Sequence, residues 1–211
     1  HSAMKDVCHS GNWALALEAL LETVRATGGP RIATRVLEAK PVNVVAQLFN
    51  KVVDADAGFR DIVIKVVGGV IMPRIGELSP TILGQVAVAA ARSGREPTRP
   101  LLSVLFGHAA EAETWGAMRS SRLPSFEVSS AAMFIARAAL EENGGSGVAA
   151  EAATATPGLF ATLRGELERQ QLHLSRTEDS SGMIAMINKV AMNAMINKVS
   201  AAAAPEPEPE P

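Results

Sequence analysis

Residues 79–94 read SPTILGQVAVAAARSG, and this stretch decides the fold. Ser79 is a helix-capping residue, and Pro80 suits a first turn, where its missing N–H removes no helical bond. Ala87, Ala89, Ala90 and Ala91 follow in a run of small apolar residues, and alanine is the strongest helix former. Gly94 supplies the stop. A helix from Pro80 to about Ser93 with so little side-chain bulk is built to lie close against another helix.

The same design recurs on either side. Pro41-Val-Asn-Val-Val-Ala-Gln-Leu-Phe49 starts 39 residues before Pro80, and Glu127-Val-Ser-Ser-Ala-Ala-Met-Phe-Ile135 begins about 48 residues after it. Each follows a turn, is rich in small residues, and precedes a Gly-containing break and a second helix. Helical pairs recurring at this period are the signature of an α-solenoid. The variable period leaves an irregular helix bundle as the alternative.

Composition points the same way. The chain has 211 residues, 47% hydrophobic, yet only 4% aromatic and without Tyr. Sheets favour aromatic and β-branched side chains on a half-buried face, so the expected class is all-α. Apolar spacing predicts helices over roughly 12–26, 31–39, 41–53, 59–71, 80–93, 97–113, 126–142 and 157–174. Residues 146–156, rich in Gly, Ala and Thr, are expected to form a long flexible connection. Trp13, Leu17, Leu48, Phe49, Leu83, Val86, Phe106 and Phe134 are the expected core.

Met183 to Ser200 contains an exact repeat, Ala185-Met-Ile-Asn-Lys-Val190 and Ala194-Met-Ile-Asn-Lys-Val199. Nine residues are 2.5 helical turns, so the two copies face opposite sides of one helix. Such a helix suits burial between two partners; the alternative is a terminal helix that closes the protein's own core. The expectation taken forward is that residues 183–211 bind a partner through Met192, Met195, Ile196 and Val199. Deleting them would then leave the remaining body folded. The Pro-Glu run Pro205–Pro211 is expected to be extended and solvated. The domain expectation is a hairpin body over 1–176, a linker and Met-rich helix over 177–200, and a tail over 201–211.

The formal net charge is −2; with Glu206, Glu208 and Glu210 assigned to the tail, the remainder carries +1. Such a body does not advertise nucleic-acid binding, whose affinity comes from neutralised phosphates. Arg92, Arg95, Arg99, Arg119 and Arg122 nevertheless form a candidate basic edge for RNA. Cys8 is the one cysteine, so no intrachain disulfide forms. His1, His9, His108 and His173 lack metal-ligand spacing with one another or with Cys8. His108 is expected on the polar side of its helix. Glu141 and Glu142 are consecutive and point in different directions, which excludes an acid/base dyad. No nucleophile is grouped with a base and an orienting residue. The expectation is a non-enzyme with no metal and no cofactor. No apolar run reaches the ~18–20 residues of a membrane span, so no membrane insertion is expected. The opening His1-Ser2-Ala3-Met4 fits either a removed targeting segment or tag residues.

Two stretches carry a family resemblance. His9-Ser-Gly-Asn-Trp-Ala-Leu-Ala-Leu-Glu-Ala-Leu-Leu21 resembles the opening of a pentatricopeptide helix, through Gly11, Trp13, Ala16 and Leu17. Met72 to Gly94, with its Leu78-Ser79-Pro80 turn and Ala-rich helix, is similar to the repeats of octotricopeptide and FAST-kinase-like organellar proteins. Leu123-Pro-Ser-Phe126 through Asn143-Gly144 is a looser third example. The resemblance implies a location in a mitochondrion or plastid and a concave helical binding surface. Two functions follow as expectations. One is a non-catalytic scaffold or accessory subunit that meets other protein subunits through its C-terminal helix and tail. The other is an RNA-binding factor in transcript processing, stability or translation.

Overall fold

The computed structural model describes the backbone of residues 13–54, 60–121, 125–141, 147–176 and 183–203, and slightly shorter runs of side chains within them. Among the described residues the regular structure is entirely helical. Eleven α-helices follow one another: α1 Trp13–Arg25, α2 Gly29–Glu38, α3 Val42–Asp54, α4 Arg60–Ile71, α5 Pro80–Ser93, α6 Arg99–Ala110, α7 Ala112–Ser120, α8 Ser125–Ala139, α9 Val148–Thr154, α10 Leu159–Arg176 and α11 Met183–Ala203. Two 3₁₀ segments, Met72–Glu77 and Glu96–Thr98, precede α5 and α6.

Which helices touch defines two layers. In one, α1 meets α3, α3 meets α5, α5 meets α8, and α8 meets α11. In the other, α2 meets α4, α4 meets α6, and α6 meets both α9 and α10. Consecutive helices also pair across the layers, as α1 with α2, α3 with α4, and α10 with α11. This is a short α-solenoid. The three segments that recur in the sequence are α3, α5 and α8, three successive neighbours of one layer.

The closest approach in that layer is α5 against α8, and glycine makes it possible. A Cβ built on Gly84 would stand 2.9 Å from Phe134 Cβ and 3.2 Å from Ala131 Cα. Ala87 and Ala91 share the Gly84 face of α5, and they and Ala131, Ala132, Ile135 and Ala138 of α8 are all buried. Small residues let two backbones come within dispersion range over their whole length. A second glycine is required at the α1–α2 turn, where a Cβ on Gly29 would overlap Thr23 O at 2.0 Å.

One apolar core runs through the array, from Ala16 and Leu20 of α1 to Met195 and Val199 of α11. Leu48, Phe49, Leu83, Val86 and Phe106 are fully buried. Leu17 is partly buried against the core, Phe134 is half-buried over Gly84, and the side chain of Trp13 lies outside the described residues. Trp115, the largest fully buried side chain, was not among the expected core.

Three local expectations are corrected. Residues 146–156 contain a helix, α9, with Val148, Ala149, Ala152 and Ala153 buried. Its alanines favour helix outright, and Glu141 caps its start, accepting the N–H groups of Gly147 at 2.9 Å and Ala149 at 2.7 Å. The helix expected over 97–113 ends at Ala110, where Glu111 turns extended (φ −79°, ψ 117°). An additional helix of nine residues, α7, then begins. It accounts for the longer second spacing between recurring segments. Finally, the Ser79 hydroxyl makes no cap bond; Asn43 Oδ1 accepts the Ser79 N–H instead, at 3.1 Å, which ties the start of α5 to α3.

Candidate functional site

The arginines expected to form a basic edge divide into separate places. Arg95 and Arg99 flank the start of α6. Arg119 follows its far end, and the 12 residues of α6 span about 18 Å. Arg95 Nε donates to Asp61 Oδ1 at 2.6 Å. Arg99 binds Glu96, with Nε at 3.1 Å and Nη2 at 3.0 Å, and Nη2 reaches Glu151 of α9 at 2.6 Å. Glu96 first and Glu151 second favour the charged guanidinium of Arg99. Arg119 donates to Glu166, which is 3% exposed. Arg92 is exposed, and Arg122 lies outside the described residues. Three of the five arginines expected at the edge, Arg95, Arg99 and Arg119, are thus paired with carboxylates. The two longest reach, Arg99–Glu151 and Arg119–Glu166, span 52 and 47 residues, beyond any local pattern.

The four side chains assigned to a partner are also placed differently. Met192, Met195 and Val199 are buried within this chain's own core, and Ile196 packs against it. α11 lies along α10 and touches α8, and Gln171 Nε2 donates to Asn193 Oδ1 across the α10–α11 seam. That corrects the expectation of an exposed apolar patch here: the second hexapeptide copy closes the protein's own stack. The side chains of the first copy, and the Pro-Glu tail, lie outside the described residues.

Two concavities among the described residues are taken as candidate surfaces. The larger, about 410 Å³, lies between α4 and the start of α6. Ile64, Gly68, Met72, Pro97 and Leu101 line it, with Lys65 and Glu96 as its charged members. Its origin is geometric. Asp61 and Arg95 are paired near the starts of α4 and α6, and both 3₁₀ segments touch both helices. Gly69 adds no bulk to the groove, and a Cβ there would meet nothing within 4 Å. Ile62 and Val104, one turn away along each wall, are 42% and 39% exposed. The sequence marked Gly68-Gly69 only as a weakness in a helix; their place beside Pro97 and Pro100 is a tertiary fact.

The second concavity, about 370 Å³, lies between α7 and the segment leading into α5. Gly76, Leu78, Pro80, His108, Thr114 and Met118 are among its lining residues. His108 is partly buried, not fully on the polar side, and its Nδ1 lies 3.4 Å from Thr114 Oγ1. Burial pushes its imidazole below the ordinary value of 6.5, opposed by the weaker attraction of Glu111.

Among the described residues no group of three or more His, Cys, Asp and Glu is placed to hold a metal ion. No helix among them is long and apolar enough to cross a membrane. No known protein family, curated protein or solved structure matches this chain.

Proposed function

We propose that the chain is a non-catalytic helical-repeat scaffold, an accessory subunit that holds another protein on the outer face of its α4–α6 layer. The observation that carries this reading is the open apolar groove between those helices, flanked by exposed Ile62 and Val104. An amphipathic helix laid into a groove buries such residues at helical spacing, and Gly69 lets a partner backbone approach closely. The organellar setting rests on the resemblance of residues 72–94 to octotricopeptide and FAST-kinase-like repeats.

The RNA reading is the alternative, and the ion pairs weigh against it. A phosphate that recruited Arg119 would leave Glu166 buried without its cation, and breaking a buried pair from one side costs roughly 3–5 kcal/mol. Two measurements separate the readings. Fluorescence anisotropy of the purified chain with unrelated RNA oligomers should give weak binding that fades with salt and does not rank the sequences. Endogenous protein should sediment within a larger particle, and Gly69→Leu, which fills the groove where nothing opposes it, should return it to the monomer position. Tight, sequence-ranked RNA binding with an unchanged sedimentation position of the Gly69→Leu variant would overturn the scaffold reading.

A further inference from the structure

The inserted helix α7 touches α6 and α8 at the edge of the two layers. It fills the excess of the second repeat spacing over the first, so the two layers do not need it for their continuity. Only Thr114 and Trp115 of its nine residues are buried. Insertions into repeat arrays collect on one face, often the binding face.

Its moorings are few and distinct. Trp115 Nε1 donates to Ala109 O at 2.8 Å, a bond to the adjoining end of α6. Thr114 faces His108, again on α6. At the far end Met118 packs against the core and α7 touches α8, while Arg119 makes the polar contact, and its partner is elaborate. Glu166 Oε2 accepts from Arg119, Glu166 Oε1 accepts from Gln170 Nε2 at 2.8 Å, and Gln170 Oε1 accepts from Ser129 Oγ at 2.8 Å. Glu166 and Gln170 are buried. This chain of bonds therefore ties α7 to α10 and α8 through one buried carboxylate. Beneath α7 lies the 370 Å³ cleft, with Leu78, Pro80 and Met118 among its lining.

We infer that α7 is a strap that lifts from the array as a unit, with Arg119–Glu166 as its catch. Lifting opens the cleft and bares Trp115, Met118 and Pro80 without disturbing the stacked hairpins. Lifting costs the burial of Trp115, the largest apolar contact α7 makes, yet leaves the rest of the core covered, so it opens below the global free energy. The Arg119–Glu166 pair, with its carboxylate buried, gives such an opening two discrete states. The inference is independent of the groove between α4 and α6, which lies on other residues.

Native-state hydrogen exchange on the full chain reads this directly. Amides of residues 114–120 should exchange at least tenfold faster than those of α6 and α8. Arg119→Met should quicken α7 by a further tenfold while α5 and α8 keep their protection. Protection of α7 equal to that of α6 and α8 in the unsubstituted chain overturns the inference, and needs no variant to fold. A variant that loses protection uniformly along the chain overturns it as well, since Arg119 would then support the whole stack.

Discussion

At the scale of single residues, bulk at two glycines should act in opposite directions. Gly84→Ala places a methyl 2.9 Å from Phe134 and 3.2 Å from the α8 backbone. Overpacking of this kind costs about 1–3 kcal/mol, and the gain in helix propensity of up to about 1 kcal/mol does not cover it. Gly69→Ala meets nothing within 4 Å and should stabilise by about 0.5–1 kcal/mol. Urea midpoints of the two variants should therefore fall on either side of the parent, and a stabilised Gly84→Ala would mean that α5 and α8 are farther apart than described. His108 supplies a second test. Its folded-state pKa lies below the ordinary 6.5 because burial disfavours the imidazolium. The unfolded chain therefore binds its proton first, and stability falls as pH drops through about 6.5. His108→Gln should flatten the slope of melting temperature against pH in that window. None of this was visible in the sequence, which showed Gly84 as one small residue among many and His108 as a polar-side residue. Which glycine is crowded, and which histidine is half-buried, depends on a neighbour about 50 residues away in the first case and on the α7 turn in the second.

At the scale of elements, helix starts and stops were legible because they are local chemistry. Pro80 and Gly94 bound α5, and Gly28 caps α2, whose first turn holds Gly29 and Pro30. The missed helices, α7 and α9, are nine and seven residues long. Helices so short are not stable by propensity alone; they exist because Trp115, Val148 and Ala149 reach a core already assembled. The placement of α11 departs from the expectation for a related reason. Its two hexapeptide copies offer two equivalent faces in sequence, and the neighbouring α8 and α10 are what bury the second. Met192, Met195 and Val199 are the residues that meet them, each worth about 1.5–3 kcal/mol on burial. Set against a net stability of roughly 5–15 kcal/mol for a domain, their loss is severe. Removing residues 183–211 should lower the melting temperature sharply or abolish folding, as read by circular dichroism at 222 nm. A truncated chain that melts with the parent would restore the C-terminal helix to the role of a partner-binding arm.

At the scale of the whole molecule, the architecture is legible in the recurring segments α3, α5 and α8, because a solenoid writes its period into the chain. Function was less legible, since the candidate surface forms only where α4 meets the start of α6 and two of the charges are satisfied by partners far along the sequence. One feature of the fold joins two stretches of chain without needing the residues between them. Glu141, at φ 50°, holds the amides of Gly147 and Ala149, while Arg99–Glu151, Ser129–Gln170 and Thr162–Ala110 link α9 and α10 to what precedes them. α9, α10 and α11 all lie against α8, and α6 lies against two of them. A chain cut between residues 143 and 144 should therefore behave as a complementing pair. Co-expressed, fragments 1–143 and 144–211 should elute together as a one-to-one complex with the parental helical signal; fragments that stay apart would show that the break severs the fold. A pair that rejoins makes this solenoid a proximity reporter, in which two fused proteins drawn together rebuild one stack.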